Sequence, residues 1–451
     1  MTSVVRSGSV KQGVIQWAGH PARGPRTESH LAPAYATGIV EFVMEPRRAP
    51  APRHYIGPRR RAAVKHPDWD APPPPAADPL AWLKLAATIV TSASREQPAD
   101  ALLRHHLKNA PDVTREMSRQ VSQAVFGYFR WRGWVDANLK PESQIRSALE
   151  KVEAFAHRPE TITNAELKLR CVPDWVSEVM SVDVTWLRAL QHEPRLWLRV
   201  KPGRLQALAQ VLGYTERCAL PDALAYTGEA DLFRRPEFHA GEFEIQDIAS
   251  QAVGMICAPQ PGETWWDACA GEGGKLLHLS ELMRGKGMIW ASDRTEWRLK
   301  KLKIRAARAQ CFNYRAALWQ GGPKLPTKTR FDGVLVDAPC SGLGTWQRNP
   351  HARWTTTPED VRELAAVQLQ LLRNAAPAVK PGGRLVYSVC SLPRAETTDV
   401  AAAFQAAHPE FQPLPGPNPF HSNEKPKPQQ LFTPQDNGGN GMFVALWQRA
   451  G

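Results

Sequence analysis

Two cysteines occupy equivalent places in the C-terminal half of the chain, each directly after an apolar run. Cys340 follows FDGVLVDAP and Cys390 follows GRLVYSV, and short apolar runs of this kind predict buried strands. A thiolate is a strong nucleophile, so two thiols where strands open onto one sheet edge are suited to covalent catalysis. Asp337, three residues before Cys340, adds an acid or base to that edge. These residues alone leave open which thiol attacks.

A glycine-rich turn follows another apolar run, in the string TWWDACAGEGGK. Its glycines at 271, 273 and 274 let the backbone pass close beneath a nucleoside and turn into a helix. The chain has no G-x-x-x-x-G-K-[ST] spacing, which argues against a nucleoside triphosphate site. Asp293 ends the next apolar run and is suited to bind both ribose hydroxyls, or alternatively to cap the following helix. A nicotinamide enzyme is a competing interpretation of this turn.

The pattern after about residue 241 alternates short apolar runs with helical stretches. The predicted strands are TWWDACA, MIWASD, FDGVLVDAP and GRLVYSVCS, and the helices between them include KLLHLSELMRG and WRLKKLKIRAARA. Such alternation predicts an α/β domain with a parallel, doubly wound sheet, whose ligands bind at the carboxyl ends of the strands. The cysteines, Asp337, Asp293 and the glycine turn would all lie at that edge.

Three further segments precede this domain. Residues 1–78 are rich in Pro, Arg and Ala and bury too little apolar surface to fold, so we predict a disordered tail. Residues 79–157 space apolar residues three and four apart, which predicts a small all-helical domain. Residues 158–240 mix helical stretches with the strand-like RLWLRVK and form a predicted linking subdomain.

Composition narrows the class of protein further. The formal net charge is +13 and the pI is about 9.5, which favours a polyanionic partner such as RNA. The seven cysteines are dispersed, which argues for a reducing compartment and against a disulfide framework or a zinc site. No run of about 18 apolar residues or secretory signal is apparent, so we expect a cytoplasmic protein without a membrane span or a metal.

From residue 241 onward the chain resembles the RsmB/Sun-type (NOP/NSUN) RNA 5-methylcytosine methyltransferases. The strings that carry the resemblance are GEFEIQDIASQ, DACAGEGGK, DAPCSGLGTWQRNPHARW, LVYSVCSLPRAE and GMFVALWQR. They occur in the family's order over roughly 210 residues, and the paired Pro-Cys and Cys-Ser motifs are highly specific. The resemblance implies a Rossmann-like class I methyltransferase domain that uses S-adenosylmethionine.

The resemblance also assigns roles to residues. It implies that Cys390 attacks carbon 6 of the cytosine, that Cys340 assists release of the methylated product, and that Asp337 lies where cofactor and base meet. The residues implied to bind S-adenosylmethionine are Cys269, Ala270, Gly271, Glu272, Gly273, Gly274, Lys275, Asp293 and Asp337. The family's usual acidic residue against the adenine is missing from Arg315 to Leu318.

The N-terminal half has its own resemblance and its own predicted RNA contacts. Residues 99–139 resemble a NusB-type helical RNA-binding domain, as found before the methyltransferase domain in bacterial 16S rRNA members. With nearby tryptophans, a basic stacking surface for RNA is predicted at Arg130, Arg132, Arg199, Lys201 and Arg204, although a core role for the tryptophans fits equally well.

We therefore predict a monomeric 16S rRNA cytosine-5 methyltransferase. A tRNA methyltransferase of the same chemistry and a non-catalytic RNA-binding ribosome assembly factor are the alternatives. A nicotinamide oxidoreductase is opposed by the lack of G-x-G-x-x-G and by the cysteine pair.

Overall fold

The computed structural model describes residues 78–109 and 113–451. The predicted disordered tail, with its arginines at 59–61, lies outside these residues except for Asp78. The α-helices are α1 (Ala81–Ser92), α2 (Ala99–Asn109), α3 (Arg115–Trp131), α4 (Pro141–His157), α5 (Asn164–Arg170), α6 (Val176–Val179), α7 (Val184–Gln191), α8 (Leu205–Leu212), α9 (Pro236–His239), α10 (Ile248–Cys257), α11 (Gly274–Leu282), α12 (Glu296–Arg308), α13 (Pro358–Ala375), α14 (Thr398–Ala407) and α15 (Pro434–Asn437). The strands are β1 (Leu196–Val200), β2 (Thr215–Arg217), β3 (Ala223–Tyr226), β4 (Phe243–Ile245), β5 (Thr264–Asp267), β6 (Met288–Asp293), β7 (Tyr314–Leu318), β8 (Phe331–Asp337), β9 (Val379–Val389), β10 (Phe411–Pro413), β11 (Gln429–Phe432) and β12 (Met442–Arg449).

The first four helices pack around one hydrophobic cluster, as their apolar spacing predicts. Leu83 of α1, Leu103 of α2 and Val125 of α3 are buried together in it. Helix α3 begins after Thr114, whose hydroxyl accepts a hydrogen bond from the backbone N–H of Met117 and so caps the helix. An N-terminal helical region is thus confirmed, while its boundaries and its RNA-binding role stay predictions.

The linking segment forms a small antiparallel sheet with strand order β2-β3-β1-β4. Its strand β4 follows residue 241, the predicted start of the methyltransferase domain, yet it pairs with β1 through Leu198 and Ile245. The small sheet therefore continues past that boundary: the chain passes through β3 and α9 and then returns to place β4 antiparallel beside β1.

The C-terminal half contains an eight-stranded sheet with the order β10-β12-β9-β8-β5-β6-β7, and β11 pairs with β12. The strands β5 to β9 are parallel, and β12 is antiparallel to β9. Helices α10, α11 and α12 cover one face, and α13 and α14 cover the other. The predicted doubly wound α/β sheet is confirmed.

The chain order of the strands explains where a ligand can bind. The chain runs outward from β5 to β6 and β7, then returns to place β8 on the opposite side of β5. The crossover segments after β5 and β8 leave the sheet in opposite directions, which opens a crevice at their carboxyl ends. Asp267 and Asp337 end these two strands.

The segment after Cys340 is held between the two halves of the molecule. Arg353 is fully buried, and its guanidinium donates hydrogen bonds to the backbone oxygens of Cys171 (3.0 Å) and Leu190 (3.1 Å). Trp354 donates its indole N–H to the backbone oxygen of Phe129 in α3, at 2.7 Å. The helical region therefore contributes directly to the position of this segment.

The predicted RNA-contact surface is wrong at two of its five positions. Arg130 and Arg199 are only 3% and 2% exposed, so neither side chain can reach a nucleic acid. Both face interfaces between parts of the chain, where Arg199 pairs with Glu281 of α11. Arg132 and Arg204 are exposed, although Arg204 pairs with Glu242.

Within the described part of the chain, every helix is either too short or too polar to traverse a lipid bilayer.

Candidate functional site

The turn between β5 and α11 contains the residues predicted to bind the cofactor, at positions 269–275. Gly271 and Gly273 have φ of 54° and 89°, the left-handed region that glycine adopts without strain. A Cβ on Gly273 would lie 2.8 Å from Leu302 of α12, whereas none of the neighbouring atoms would lie within 4 Å of a Cβ on Gly271. The turn thus packs closely on one side and leaves open space on the other, which is the shape of a ligand cradle.

Asp267 closes the base of this cradle. It is fully buried, and among the described residues no side chain donates a hydrogen bond to its carboxyl group. Burial raises the pKa of Asp267 to about 8, and the carboxylate of Asp337 adds to the effect, while Lys275 opposes it. Burial makes the ionised form of Asp267 costly, and a bound cationic sulfonium or ammonium would favour that form.

Asp293 ends β6 and connects three segments of the site. One carboxylate oxygen accepts a hydrogen bond from the backbone N–H of Gly271 at 3.1 Å, and the other accepts one from Thr295 at 2.8 Å. The second contact lies at the start of α12, so Asp293 does support the helix start, and its contact with the glycine turn also keeps it at the cradle. Its ribose-binding role stays a prediction.

The end of β7 lies beside Asp293, where an adenine-binding acid is usual. The backbone N–H of Trp319 donates to the backbone oxygen of Asp293 at 3.2 Å. The next residue, Gln320, is exposed and donates its amide to the backbone oxygen of Arg294 at 3.3 Å. A neutral amide therefore stands close to the position at which the sequence lacks a carboxylate.

Asp337 and Lys275 form an ion pair at the centre of the site, with Lys275 Nζ 2.8 Å from a carboxylate oxygen. The other oxygen of Asp337 accepts a hydrogen bond from the Ser388 hydroxyl at 2.7 Å. Burial lowers the pKa of Lys275, but the carboxylate of Asp337 and the nearby Cys390 and Asp267 outweigh it, so the net pKa is raised. Lys275 therefore stays charged beside both Asp337 and Cys390.

The two cysteines come together as the sequence predicts, with their sulfur atoms 3.3 Å apart. Cys340 is 6% exposed, whereas Cys390 is partly exposed, so Cys390 is the more accessible of the two. The contact with Cys390 and the burial of the thiol raise the pKa of Cys340 well above its usual value. One open and one covered thiol at the same point suit an attacking group and an assisting group.

A buried carboxylate beneath the cysteines was not predicted from the sequence. Glu396 is fully buried and accepts hydrogen bonds from the Ser341 backbone N–H at 2.8 Å and from the Gln368 amide at 2.9 Å. The hydroxyls of Ser341 and Ser391 also donate to it. Because these serines follow Cys340 and Cys390 directly, one carboxylate fixes both cysteine loops. Glu396 ends the quoted string LVYSVCSLPRAE, but a string cannot indicate this contact.

The small sheet supports the cradle from the other side. Arg199 of β1 donates to the backbone oxygen of Gly274 at 3.0 Å and also contacts the side chain of Gln246. Gln246 lies beside Gly274. Asp247, in contrast, is buried and accepts hydrogen bonds from the Asn440 backbone and from Arg348.

Two of the predicted cofactor-binding side chains have other contacts. Glu272 pairs with Lys301 of α12 at 3.0 Å. Burial and the neighbouring carboxylate of Asp267 raise the pKa of Cys269 well above its usual value, so its thiol stays protonated.

Comparison with solved structures identifies the architecture. The chain is similar to the protein in "Crystal Structure of PH0851", with a TM-score of 0.66 and 22% identity over 82% of this chain and 99% of that one. It is also similar to NSun6 from Pyrococcus horikoshii, solved with SFG, with a TM-score of 0.52 and 18% identity over 59% of this chain and 94% of that one. At these identities the likeness concerns the fold alone: a helical region followed by a doubly wound α/β sheet.

Sequence comparison identifies the family. The model of the family "16S rRNA methyltransferase RsmB/F" matches residues 254–448. The probable ribosomal RNA small subunit methyltransferase B of Synechocystis sp. is 35% identical over 302 residues, which are 62% of this chain and 67% of the relative. The corresponding protein of Pasteurella multocida is 30% identical and covers 60% of this chain. The chain belongs to the RsmB/F family.

The matches span part of each relative. They cover 67% of the Synechocystis protein, 64% of the Pasteurella multocida protein and 40% of a Bacillus subtilis relative that is 41% identical over 178 residues.

Proposed function

We propose that this protein methylates carbon 5 of a cytosine in 16S rRNA, with Cys390 as the nucleophile. When bound, S-adenosylmethionine supplies an electrophilic methyl group. Carbon 5 of cytosine is too weak a nucleophile to accept that group until a thiolate adds to carbon 6. The observation that carries the proposal is the 3.3 Å contact between the Cys340 and Cys390 sulfur atoms beside the glycine cradle.

Each residue at the centre then has a role. The thiolate of Cys390 adds to carbon 6 and makes carbon 5 nucleophilic, while the charged Lys275 orients Asp337. Asp337, oriented by Lys275 and Ser388, is assigned to the cytosine ring, where it would polarise the group at nitrogen 3 in the adduct. After methyl transfer a base removes the carbon 5 proton, the bond from carbon 6 to sulfur breaks, and Cys340 assists this release.

The cradle fits the proposed cofactor. The open side of Gly271 leaves room for a nucleoside, and a bound cationic methyl donor would favour the ionised form of the buried Asp267. Asp293, beside the turn, is assigned to the ribose.

The relatives' names favour ribosomal RNA over tRNA as the substrate, and the intact cysteine pair disfavours a non-catalytic assembly factor. A base must leave its stack to reach Cys390, so an unpaired cytosine in a loop or junction is the expected target. We infer that the protein acts as a monomer in the cytoplasm.

Alanine variants of the cysteines test the mechanism with 16S rRNA from a strain that lacks the enzyme. Cys390→Ala should lower methyl transfer from labelled S-adenosylmethionine at least about 10³-fold, because the nucleophile is missing. Cys340→Ala should accumulate a covalent protein–RNA adduct, visible as a shifted gel band. Cys218→Ala, a partly buried cysteine of the small sheet, is the matched control and should keep wild-type activity.

Two outcomes would contradict the proposal. Full activity of Cys390→Ala would exclude it as the nucleophile, and the absence of an adduct with Cys340→Ala would exclude the release role. Bisulfite sequencing of total RNA with and without the enzyme identifies the modified nucleotide and separates the rRNA and tRNA alternatives.

A further inference from the structure

The large sheet has one open side, at strand β7. This strand pairs only with β6 among the described strands, so its outer edge lacks a neighbour. Helix α12 covers one face of the sheet beside it through Leu299 and Leu302. The segment from 319 to 330 covers the other face, where Trp319 is buried and Leu325 packs against the second core cluster. Residues 294–330 thus wrap around the open side, and we name them the basic edge.

The charge of the basic edge is strongly one-sided. It contains eleven Lys and Arg residues and one acidic residue, Glu296. Five of the cations are paired: Arg298 with Asp293, Lys300 with Glu296, Lys301 with Glu272, and Arg305 and Arg308 with Glu244. The other six are exposed, and the described residues bring no carboxylate within ion-pair distance of them: Arg294, Lys303, Arg315, Lys324, Lys328 and Arg330.

Aromatic and apolar side chains are exposed between these cations. Phe312, between α12 and β7, is 77% exposed, and Trp297 of α12 is 46% exposed. Lys301 lies over the Trp297 ring, 5.0 Å from its centroid. Exposed rings among uncompensated cations are the combination that binds nucleic acid, since phosphates neutralise the cations and unstacked bases lie on the rings.

We propose that the basic edge binds the RNA that flanks the target cytosine. This inference rests on the proposed function, because it extends the RNA-binding surface beyond the reactive base. Arg294 follows Asp293 directly, so the basic edge begins at the cofactor cradle and continues away from it along α12 and β7. An RNA strand leaving the site in this direction would meet unpaired cations first and Phe312 farther along.

The salt dependence of RNA binding tests this surface. The variant Lys303→Gln/Lys324→Gln/Lys328→Gln removes three charges and keeps long polar side chains at exposed positions. With unmodified 16S rRNA transcribed in vitro, each lost phosphate contact should lower the slope of log K against log salt by about 0.9. We therefore expect a slope lower by about 2 to 3 and an affinity at least about tenfold weaker at 0.1 M salt. Phe312→Ala should weaken binding without changing the slope.

A matched control removes three exposed cations elsewhere, with Lys168→Gln/Arg170→Gln/Lys425→Gln, and should leave the slope unchanged. An equal loss in this control would mean that net charge alone is responsible, which would overturn the surface. Unchanged slope and affinity in the basic-edge variant, with methylation intact, would overturn this inference and leave the proposed function standing. If the wild-type protein neither binds nor methylates the transcript, the proposed function itself fails.

Discussion

At Glu396 one buried carboxylate determines the geometry of two separate loops. The chain reaches Cys340 at the end of β8 and Cys390 at the end of β9, and both following serines donate to this group. Burial raises the pKa of Glu396, although hydrogen bonds from Ser341 and Ser391 oppose the shift. These donors compensate for much of the cost of burying the carboxylate. An apolar residue at this position would avoid that cost, but both cysteine loops would lose their hydrogen-bond acceptor.

Replacing this carboxylate should therefore separate the thiols without affecting the cofactor cradle. In Glu396→Gln one acceptor oxygen becomes a donor, so the loops lose contacts and the reaction slows. We expect kcat to fall about 10- to 100-fold with KM for RNA within about twofold. Diamide, which oxidises two adjacent thiols to a disulfide and is itself reduced to the hydrazine, should cross-link Cys340 to Cys390 more slowly in the variant. Glu396→Asp should restore part of both rates; wild-type rates in Glu396→Gln would exclude the positioning role.

At the scale of elements, the local sequence pattern predicted most strands of the large sheet, but it could not predict contacts between residues far apart in the chain. The strands β5, β6, β8 and β9 were predicted because a short apolar run bounded by polar residues is a local sequence pattern that indicates a buried strand. Arg130 and Arg199 were misassigned to an RNA surface because a basic residue has the same sequence signature whether it faces solvent or a buried partner. Arg199 finds Glu281 across 82 positions of the chain. Asp267 and Glu396 were missed for the same reason.

The segment between Cys340 and α13 shows what such a distant contact does. Arg353 donates hydrogen bonds to one acceptor on α3 and three on the linking segment: the backbone oxygens of Arg130, Cys171 and Leu190 and the side chain of Gln191. Arg353→Ala should leave these buried acceptors unsatisfied and lower the free energy of unfolding by about 3 kcal/mol, measured by urea denaturation. Methyl transfer should fall as well, because the segment begins at Cys340. Arg362→Ala, an exposed position of α13, is the control and should change stability by less than about 0.5 kcal/mol; equal effects would exclude this role of Arg353.

Across the whole molecule, one hydrophobic cluster joins the helical region to the large sheet. Trp131 of α3 and Trp186 of α7 in the linking segment are buried in it with Trp346 and Leu392 from the loops after β8 and β9. Because the two regions share this cluster, we expect them to unfold together. A change in stability at the cofactor cradle should therefore change the unfolding free energy of both regions.

The protonation of the buried Asp267 makes stability at the cofactor cradle depend on pH. Its pKa is about 8 in the folded chain because of burial, against an ordinary value of 3.8, so the folded state retains a proton that the unfolded state has lost. Between these values the contribution of Asp267 to stability should fall by about 1.4 kcal/mol per pH unit as pH rises, and it should level off above about pH 8. Asp267→Asn does not titrate, so the difference in unfolding free energy between variant and wild type should change with that slope from pH 5 to 7. Amide hydrogen exchange measures this difference in unfolding free energy separately in α3 and in β5. If it depends on pH in β5 but not in α3, the two regions unfold separately.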